Sequence, residues 1–168
     1  MLNAHTAADV GRHLAGEDEE TARRFGWWPR HSTERNVLDA YEDWARQWSQ
    51  GGATRAFATR DAATGLLVGG CELRIKPDGS GQVSYWTHAA QRGRGYAARS
   101  LRLLCGYAAS IGVSRLESHV APDNLASRRV SLAAGFAAGE VFTSADGEVL
   151  VRYGRQEPDD GPAKPRPT

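Results

Sequence analysis

The chain has 168 residues and a net charge of +1, from 21 basic and 20 acidic side chains. This length suits one domain with a sizeable core, and the balanced charge gives no general affinity for nucleic acid or for a membrane surface. The sequence has no signal-peptide pattern and no apolar run of the roughly 18 residues that a membrane helix needs. We therefore expect a cytoplasmic protein with neither a nucleic-acid nor a membrane partner.

The two cysteines, Cys71 and Cys105, lie far apart in apolar stretches and match no metal-ligand spacing. We expect both to be reduced core residues, with a disulfide as the alternative, and we expect no metal. One domain is predicted over residues 1–153. Residues 154–168 are rich in proline and charge, and are predicted to form a disordered tail.

The first part of the chain is predicted to be helical. Short amphipathic segments cover residues 7–14 and 21–25, and cap residues at 32–35 precede a longer helix that ends at Gly51 and Gly52. Apolar side chains follow a 3.6-residue period on one face of that helix, at Val37, Leu38, Tyr41, Trp44, Ala45 and Trp48.

A run of strands follows. Strands at 55–59, 66–75 and 82–87 are joined by turns at 61–65 and 77–81, which predicts an antiparallel meander. The rest of the chain alternates between helix and strand, with a helix at 98–110, a strand at 114–120, a helix at 125–134 and a hairpin of strands 136–142 and 149–153. This order predicts an α/β (α+β) fold with a mixed sheet.

The segment 91–97, between a predicted strand and a predicted helix, carries the strongest functional signal. Gly93 and Gly95 let backbone N–H groups crowd at a helix N-terminus, where free amides and the helix dipole favour a phosphate or pyrophosphate. Arg92 and Arg94 add positive charge there. The alternative is a tight basic turn with no ligand.

Two familiar nucleotide loops are excluded for this segment. It lacks the Gly-Lys-Ser/Thr ending of a P-loop, and no spaced G-x-G-x-x-G follows the strand. What remains is a ligand whose diphosphate meets backbone amides without a metal-holding Ser or Thr. Coenzyme A fits that description.

Three segments together extend the pattern. Tyr85-Trp86-Thr87 precedes the loop 92–97, strand 115–120 precedes Pro122-Asp-Asn124-Leu-Ala-Ser127, and Ala134-Gly135-Phe136 ends the following helix. These residues closely resemble the GNAT superfamily of acetyl-CoA-dependent N-acetyltransferases. The nearest branch includes the enzymes that acetylate N-termini of ribosomal proteins. The resemblance covers roughly residues 53–153 and implies a mixed, mostly antiparallel sheet flanked by helices.

The resemblance also implies a set of acetyl-CoA contacts and no metal. The pyrophosphate would meet the loop, pantetheine would meet the backbone of the strand end and the side chain of Asn124, and Ser127 would protonate the departing thiolate. The implied cofactor-binding residues are Trp86, Thr87, Arg92, Gly93, Arg94, Gly95, Tyr96, Ala97, Asn124 and Ser127. Asn124 could also simply cap a helix with Ser127 at its third position, and the two roles can coexist. Trp86 could equally be core or pocket wall.

One departure from the family pattern is at the N-terminus. Members usually begin with a strand, whereas this chain moves from Met-Leu-Asn-Ala almost directly into helix. The first strand is therefore expected to be missing or reduced to a stub. Because an exposed sheet edge tends to be covered, we expect a symmetric homodimer.

The implied reaction moves the acetyl group directly from the thioester to a primary amine, which must first lose a proton. His119 and Glu117 share one strand face, and His119 stands five residues before Asn124, where some relatives carry a catalytic glutamate. With a pKa near 6.5 it is a candidate base. Glu72, acting through water, is the second candidate. A core or surface histidine and a solvated glutamate are the alternatives.

The acceptor is the least specified partner. Residues 1–52 are expected to form the acceptor side, and the acids at 17–20 with Trp27 and Trp28 could bind a polycationic amine such as an aminoglycoside, which would be an antibiotic-resistance activity. The alternative is a solvated acidic loop beside core tryptophans. A protein N-terminus is the competing acceptor, and a non-catalytic acyl-CoA-binding regulatory module is the competing class.

Overall fold

A seven-stranded sheet organises residues 1–156, the part of the chain that this computed structural model describes. The strand order is β1-β2-β3-β4-β5-β7-β6. The strands are β1 Leu2–Asn3, β2 Thr54–Arg60, β3 Leu67–Ile75, β4 Gly81–Thr87, β5 Arg115–Val120, β6 Ala137–Thr143 and β7 Val149–Gln156. The helices are α1 Val10–Gly16, α2 Glu19–Arg24, α3 Glu34–Ser49, α4 Tyr96–Ser110 and α5 Leu125–Ala133.

The predicted fold class is confirmed: the sheet is mixed and mostly antiparallel, and helices flank it. Only β4 and β5 pair in parallel, and every other neighbouring pair is antiparallel. The first strand is reduced rather than missing, since Leu2 pairs with Thr59 and Asn3 with Ala58.

The end of the chain differs from the sequence prediction. Residues 154–156 were assigned to the tail, but β7 continues through them because β5 provides partners as far as the pair Arg115 and Gln156. The sheet therefore extends three residues beyond the expected domain boundary. The rest of the predicted tail, 157–168, lies outside the described residues.

Two helical layers cover opposite faces of the sheet. On one face α4 and α5 enclose the main core, whose buried members include Leu73, Val83, Leu101, Leu104, Leu116, Val120 and Phe136. On the other face α1 and α3 pack together through Val10, Val37 and Tyr41. Because side chains alternate along a strand, His119 faces away from the α4 and α5 layer that contains its neighbours in β5.

Helix α4 has glycine at both ends. Gly95 precedes it with φ of +75°, and Gly112 follows it with φ of +82°. Both values lie in the left-handed region, which glycine adopts without the penalty that a Cβ brings. The turn at Gly95 completes the connection 88–95 between β4 and α4.

The sheet splits between β4 and β5. Their parallel pairing consists of Gly81 with Leu116 and Gln82 with Glu117, and beyond these two pairs the strands separate. Each strand stays paired on its outer side, β4 with β3 and β5 with β7. The result is a wedge-shaped opening at the C-terminal ends of β4 and β5, to which the loops preceding α4 and α5 are adjacent.

Within residues 1–156 there is no helix long and apolar enough to cross a membrane.

Candidate active site

The loop before α4 presents free backbone donors. In residues 93–95 no N–H group donates to a carbonyl of the described chain, and the first N–H groups of an α-helix have no intrahelical partner. Gly93, with φ of +76°, and Gly95 have no side chain that would cover these donors. The loop therefore fits a diphosphate group, which would meet several N–H donors and the positive end of the α4 dipole.

The two arginines of this loop differ in their surroundings. Arg92 is bound by residues at the start of α2, with hydrogen bonds to Asp18 (2.7 and 2.8 Å), Glu20 (3.0 Å) and Thr21 (2.8 Å). Arg94 is exposed, and within residues 1–156 its guanidinium has no hydrogen bond or ion pair. Of these two arginines, Arg94 therefore keeps a charge beside the free amides that no acid within residues 1–156 compensates, and the Arg99 guanidinium, 2.8 Å from the Arg94 carbonyl oxygen, adds positive charge there.

The end of β4 carries Trp86 and Thr87 into the split. Opposite them in β3 stand Gly70 and Gly69, and the missing side chains make room for the tryptophan: a Cβ at Gly70 would lie 2.5 Å from the indole nitrogen. The other neighbour of the indole is His13 of α1, with ring centroids 4.6 Å apart. Trp86 is thus a wall on the α1 side of the sheet, while its backbone borders the split.

Asn124 and Ser127 stand at the start of α5, on the other side of the split. The Asn124 side-chain oxygen accepts a hydrogen bond from the Ser127 backbone N–H at 3.0 Å, so the capping role is present. Capping uses only the oxygen, which leaves the Asn124 amide N–H groups for a ligand. The Ser127 hydroxyl lies 2.6 Å from the Tyr85 hydroxyl of β4.

His119 lies near the point where the strands separate, on the face opposite to Ser127. Its Nδ1 is 3.2 Å from the Gln82 side-chain nitrogen, and its Nε2 is 2.8 Å from Glu117 Oε1, off the line of a regular hydrogen bond. A proton on Nε2 suits the carboxylate, which leaves Nδ1 as the basic nitrogen. The side chain is 18% exposed, and the Phe142 ring of β6 packs edge-on against it.

Burial lowers the pKa of His119 below its usual value of 6.5, although Glu117 acts in the opposite direction. Lys76 and Arg152 also lower it. At neutral pH the imidazole is therefore unprotonated, which is the form a general base needs. Glu117, held in turn by Lys76, orients the ring in the way that a third group orients a catalytic base.

Glu72 lies one strand further from the split. It pairs across the sheet with Ser84 of β4, and its carboxylate is 3.2 Å from the Arg74 guanidinium. Since β4 separates it from the opening, Glu72 could reach a bound amine only through water.

The acidic stretch at 17–20 is engaged with the protein itself. Glu17 accepts from Ser32 at 2.8 Å and lies 3.2 Å from His13 Nε2, and Glu19 pairs with Arg23. Asp18 and Glu20 bind Arg92, as described above. Trp28 lies under the Arg23 guanidinium, 4.7 Å from its ring centroid. These acids and aromatics are therefore not a free anionic surface.

Apart from Glu72, the predicted site residues border one opening, in two groups. On the α4 and α5 side lie the loop 92–97, Asn124 and Ser127, and on the α1 side lie Trp86 and His119. Two further residues, for which the sequence predicts no role, contact these candidates: Tyr85 holds Ser127, and Glu117 lies against His119. Strand alternation placed Glu117 beside His119, but no local pattern marks Tyr85.

The described residues contain no group of three or more His, Cys, Asp or Glu side chains that could hold a metal ion. Both cysteines are buried and neither forms a disulfide within the described residues, and burial raises the pKa of Cys71 to about 12. Cys71 therefore does not have the low pKa of a reactive thiolate.

A split sheet beside a loop of free amides at a helix start suits a ligand that has a diphosphate and an extended arm able to bond to backbone, as an acyl-CoA thioester has. Residues 1–137 match the acetyltransferase (GNAT) domain family. The chain belongs to the GNAT acetyltransferase family, and the predicted acetyl-CoA-dependent N-acetyltransferase is confirmed, with coenzyme A as its cofactor. No curated protein sequence matches the chain.

Solved structures share the fold at low sequence identity. The ribosomal L7/L12 alpha-N-protein acetyltransferase RimL in complex with coenzyme A is 17% identical, with a TM-score of 0.79 over 95% of this chain and 94% of that one. AAC(6')-Ib in complex with paromomycin and acetyl-CoA is 15% identical, with a TM-score of 0.75 over 99% and 98%. Spermidine N-acetyltransferase from Vibrio cholerae with coenzyme A and spermine is 17% identical, with a TM-score of 0.75 over 94% and 95%. At these identities the similarity shows the fold, and the acceptors differ among the three.

Proposed function

We propose that this enzyme transfers acetyl directly from acetyl-CoA to a primary amine that approaches from the His119 side of the split. The observation that carries the proposal is that the candidate base and the candidate acid lie on opposite faces of the sheet at the same opening. A thioester that passes through the split would have its sulfur near Ser127 and Tyr85, and its carbonyl carbon would face the side of His119. Attack by the amine and departure of the thiolate then need no covalent enzyme intermediate.

Each step has a residue available to it. An alkylammonium has no lone pair, so His119 Nδ1 takes its proton, directly or through a water that displaces the Gln82 amide. Backbone N–H groups along the separated part of β4 stabilise the carbonyl oxygen as it gains charge. The thiolate, with a pKa of about 8.5, leaves with help from Ser127 and needs only a weak acid.

For the acceptor we propose a peptide N-terminus or a small molecule with one amine, rather than a polycation such as an aminoglycoside or a polyamine. The acids at 17–20 support this choice, because Asp18, Glu19 and Glu20 each pair with an arginine of the protein. The volume of about 420 Å³ beside α2 is lined by three acids and two arginines, so it offers little net negative charge to a polycation.

A thiol-release assay with acetyl-CoA tests the proposal. The acceptors would be kanamycin, spermidine and short peptides with free Ala or Ser N-termini, and the same peptides with blocked N-termini would be controls. We expect turnover with the free peptides alone. Turnover with kanamycin or spermidine only would overturn the acceptor assignment. Acetyl-CoA binding without transfer to any amine would instead favour a non-catalytic acyl-CoA-binding module.

A further inference from the structure

The Arg92 guanidinium is committed to α2 rather than left free beside the coenzyme loop. It donates two hydrogen bonds to the Asp18 carboxylate, one to Glu20 and one to the Thr21 hydroxyl. These four bonds occupy both terminal nitrogens. The hydrogen bonds to Asp18 raise the pKa of Arg92 and hold the pKa of Asp18 far below its usual value, so the pair is charged at any working pH.

The Asp18 carboxylate has a second task, since it caps α2. Its Oδ1 accepts from the Thr21 backbone N–H at 2.9 Å and from the Thr21 hydroxyl at 2.8 Å. The Asp18 carboxylate therefore both caps α2 and joins its start to the loop before α4, a link to which Glu20 and Thr21 add one bond each. This arrangement links two segments that are more than seventy residues apart in sequence.

The other end of α2 is joined to the opposite side of the split. Arg24 donates to both carboxylate oxygens of Asp123, at 2.9 and 3.1 Å, and Asp123 directly precedes Asn124. Six residues of helix span about 9 Å. Helix α2 thus bridges the loops that begin α4 and α5, and of its own side chains only Thr21 and Ala22 are buried. Beyond the packing of these two side chains, the two ion pairs join α2 to the loops on both sides of the split.

We infer that Arg92 is a positioning residue for the acceptor half of the site: its side chain sets α2 across the open end of the split, while the backbone of its loop holds the coenzyme. The inference rests on the proposed function. The loop then has two roles. Its backbone amides at 93–97 face the diphosphate, and the Arg92 guanidinium fixes the helix beside which the amine enters.

The test compares Arg92→Gln with Arg94→Gln, since the Arg94 guanidinium has no hydrogen bond or ion pair within residues 1–156. Acetyl-CoA affinity is measured by calorimetry, and mobility of α2 by hydrogen exchange of the amides of residues 19–24. KM is measured for the free Ala peptide used above. Asp18→Asn is the companion variant, because asparagine keeps a cap oxygen while removing the charge.

For Arg92→Gln and Asp18→Asn we expect faster exchange in α2 and a peptide KM raised about fivefold or more, the equivalent of losing one good ion pair. Acetyl-CoA affinity should stay within about twofold of the wild type. The double variant should be little worse than either single one, because both remove the same link. Arg92→Lys should recover part of the loss. Arg94→Gln should weaken acetyl-CoA and leave α2 exchange unchanged.

The inference is overturned if Arg92→Gln weakens acetyl-CoA as Arg94→Gln does while α2 exchange stays the same, since Arg92 would then serve the phosphates. Unchanged exchange, affinity and KM would overturn it equally. If the wild type acetylates no amine, the proposed function fails, whereas the exchange and affinity measurements still decide the role of Arg92.

Discussion

The Tyr85 hydroxyl lies 2.6 Å from the Ser127 hydroxyl and 3.1 Å from the Ser127 carbonyl oxygen, and so links β4 to α5 on the thiol side of the split. Burial raises the pKa of Tyr85, so the phenol stays protonated at neutral pH. When the phenol donates to the carbonyl, the serine hydroxyl can donate either to the phenol oxygen or to a departing thiolate. In the proposed mechanism, Tyr85 would position the Ser127 hydroxyl to act as the acid.

This relationship predicts a graded loss of kcat. Ser127→Ala should cost less than about 10²-fold, the lower end for general acid catalysis, because a thiolate is already a fair leaving group. Tyr85→Phe should cost less than Ser127→Ala, and the two losses should not add. Ser84→Ala, an exposed serine of the same strand, is the control. If the loss of kcat from Tyr85→Phe adds fully to that from Ser127→Ala in the double variant, the two residues act independently and the relationship is contradicted.

For His119→Ala we predict a kcat at least about 10²-fold lower, with acetyl-CoA affinity nearly unchanged. In the wild type the rate should fall as the pH drops through the pKa of His119, because protonation removes the base. Burial lowers that pKa, so this inflection should lie below 6.5. It should be absent from the His119→Ala profile, which steady-state kinetics between pH 5 and 9 would reveal.

Glu72→Gln is the matched comparison for the base. Since β4 separates Glu72 from the opening, its loss should leave the pH inflection in place. Should His119→Ala retain near wild-type turnover while Glu72→Gln removes the inflection, Glu72 acting through water becomes the base.

Gly95→Val is predicted to weaken acetyl-CoA binding sharply. A valine at φ of +75° is strained, and its Cβ would lie 2.9 Å from the Arg99 guanidinium, so both the loop and this arginine would have to shift at the proposed diphosphate site. Gly112→Val is the control, because it places the same strain at the other end of α4, in open space far along the helix from the loop. Calorimetry on folded proteins should show the loss for Gly95→Val only. Equal affinity in both variants would refute the placement of the pyrophosphate.

The homodimer stays a prediction, but the structure offers a second sheet edge as its interface. The two residues of β1 cover part of the β2 edge, whereas β6 forms the other edge of the sheet and its Val141 is 64% exposed. Light scattering at micromolar concentration should show a dimer. Val141→Lys should favour the monomer if that edge is used, because lysine on an edge strand opposes pairing. Leu132→Lys, exposed on α5, is the control. A monomeric wild type would contradict the prediction.

The parts of this enzyme that are encoded locally could be predicted from sequence. The glycines at 93 and 95 indicate a left-handed turn before a helix, and Asn124 three residues before Ser127 indicates a helix cap. The local geometry on the candidate coenzyme side was therefore predictable. The acceptor side was not. Asp18 and Arg92 are 74 residues apart, and nothing in either segment shows that the acids would be used to hold an arginine. Tyr85 likewise acquires its partner only when α5 packs on the sheet.

The split between β4 and β5 has a consequence for stability. From Val83 to Thr87 the inner edge of β4 lacks a neighbouring strand, so the apo enzyme contains a short sheet edge inside its own fold. If the pantetheine arm of acetyl-CoA lies in the wedge, its hydrogen bonds to this edge would replace those that a neighbouring strand would make. Coenzyme binding and folding are then thermodynamically linked, and at a hundredfold excess over Kd the native state gains about 2.7 kcal/mol. The melting temperature should accordingly rise with the concentration of acetyl-CoA. The lifetime of the protein in the presence of a protease should increase in the same way.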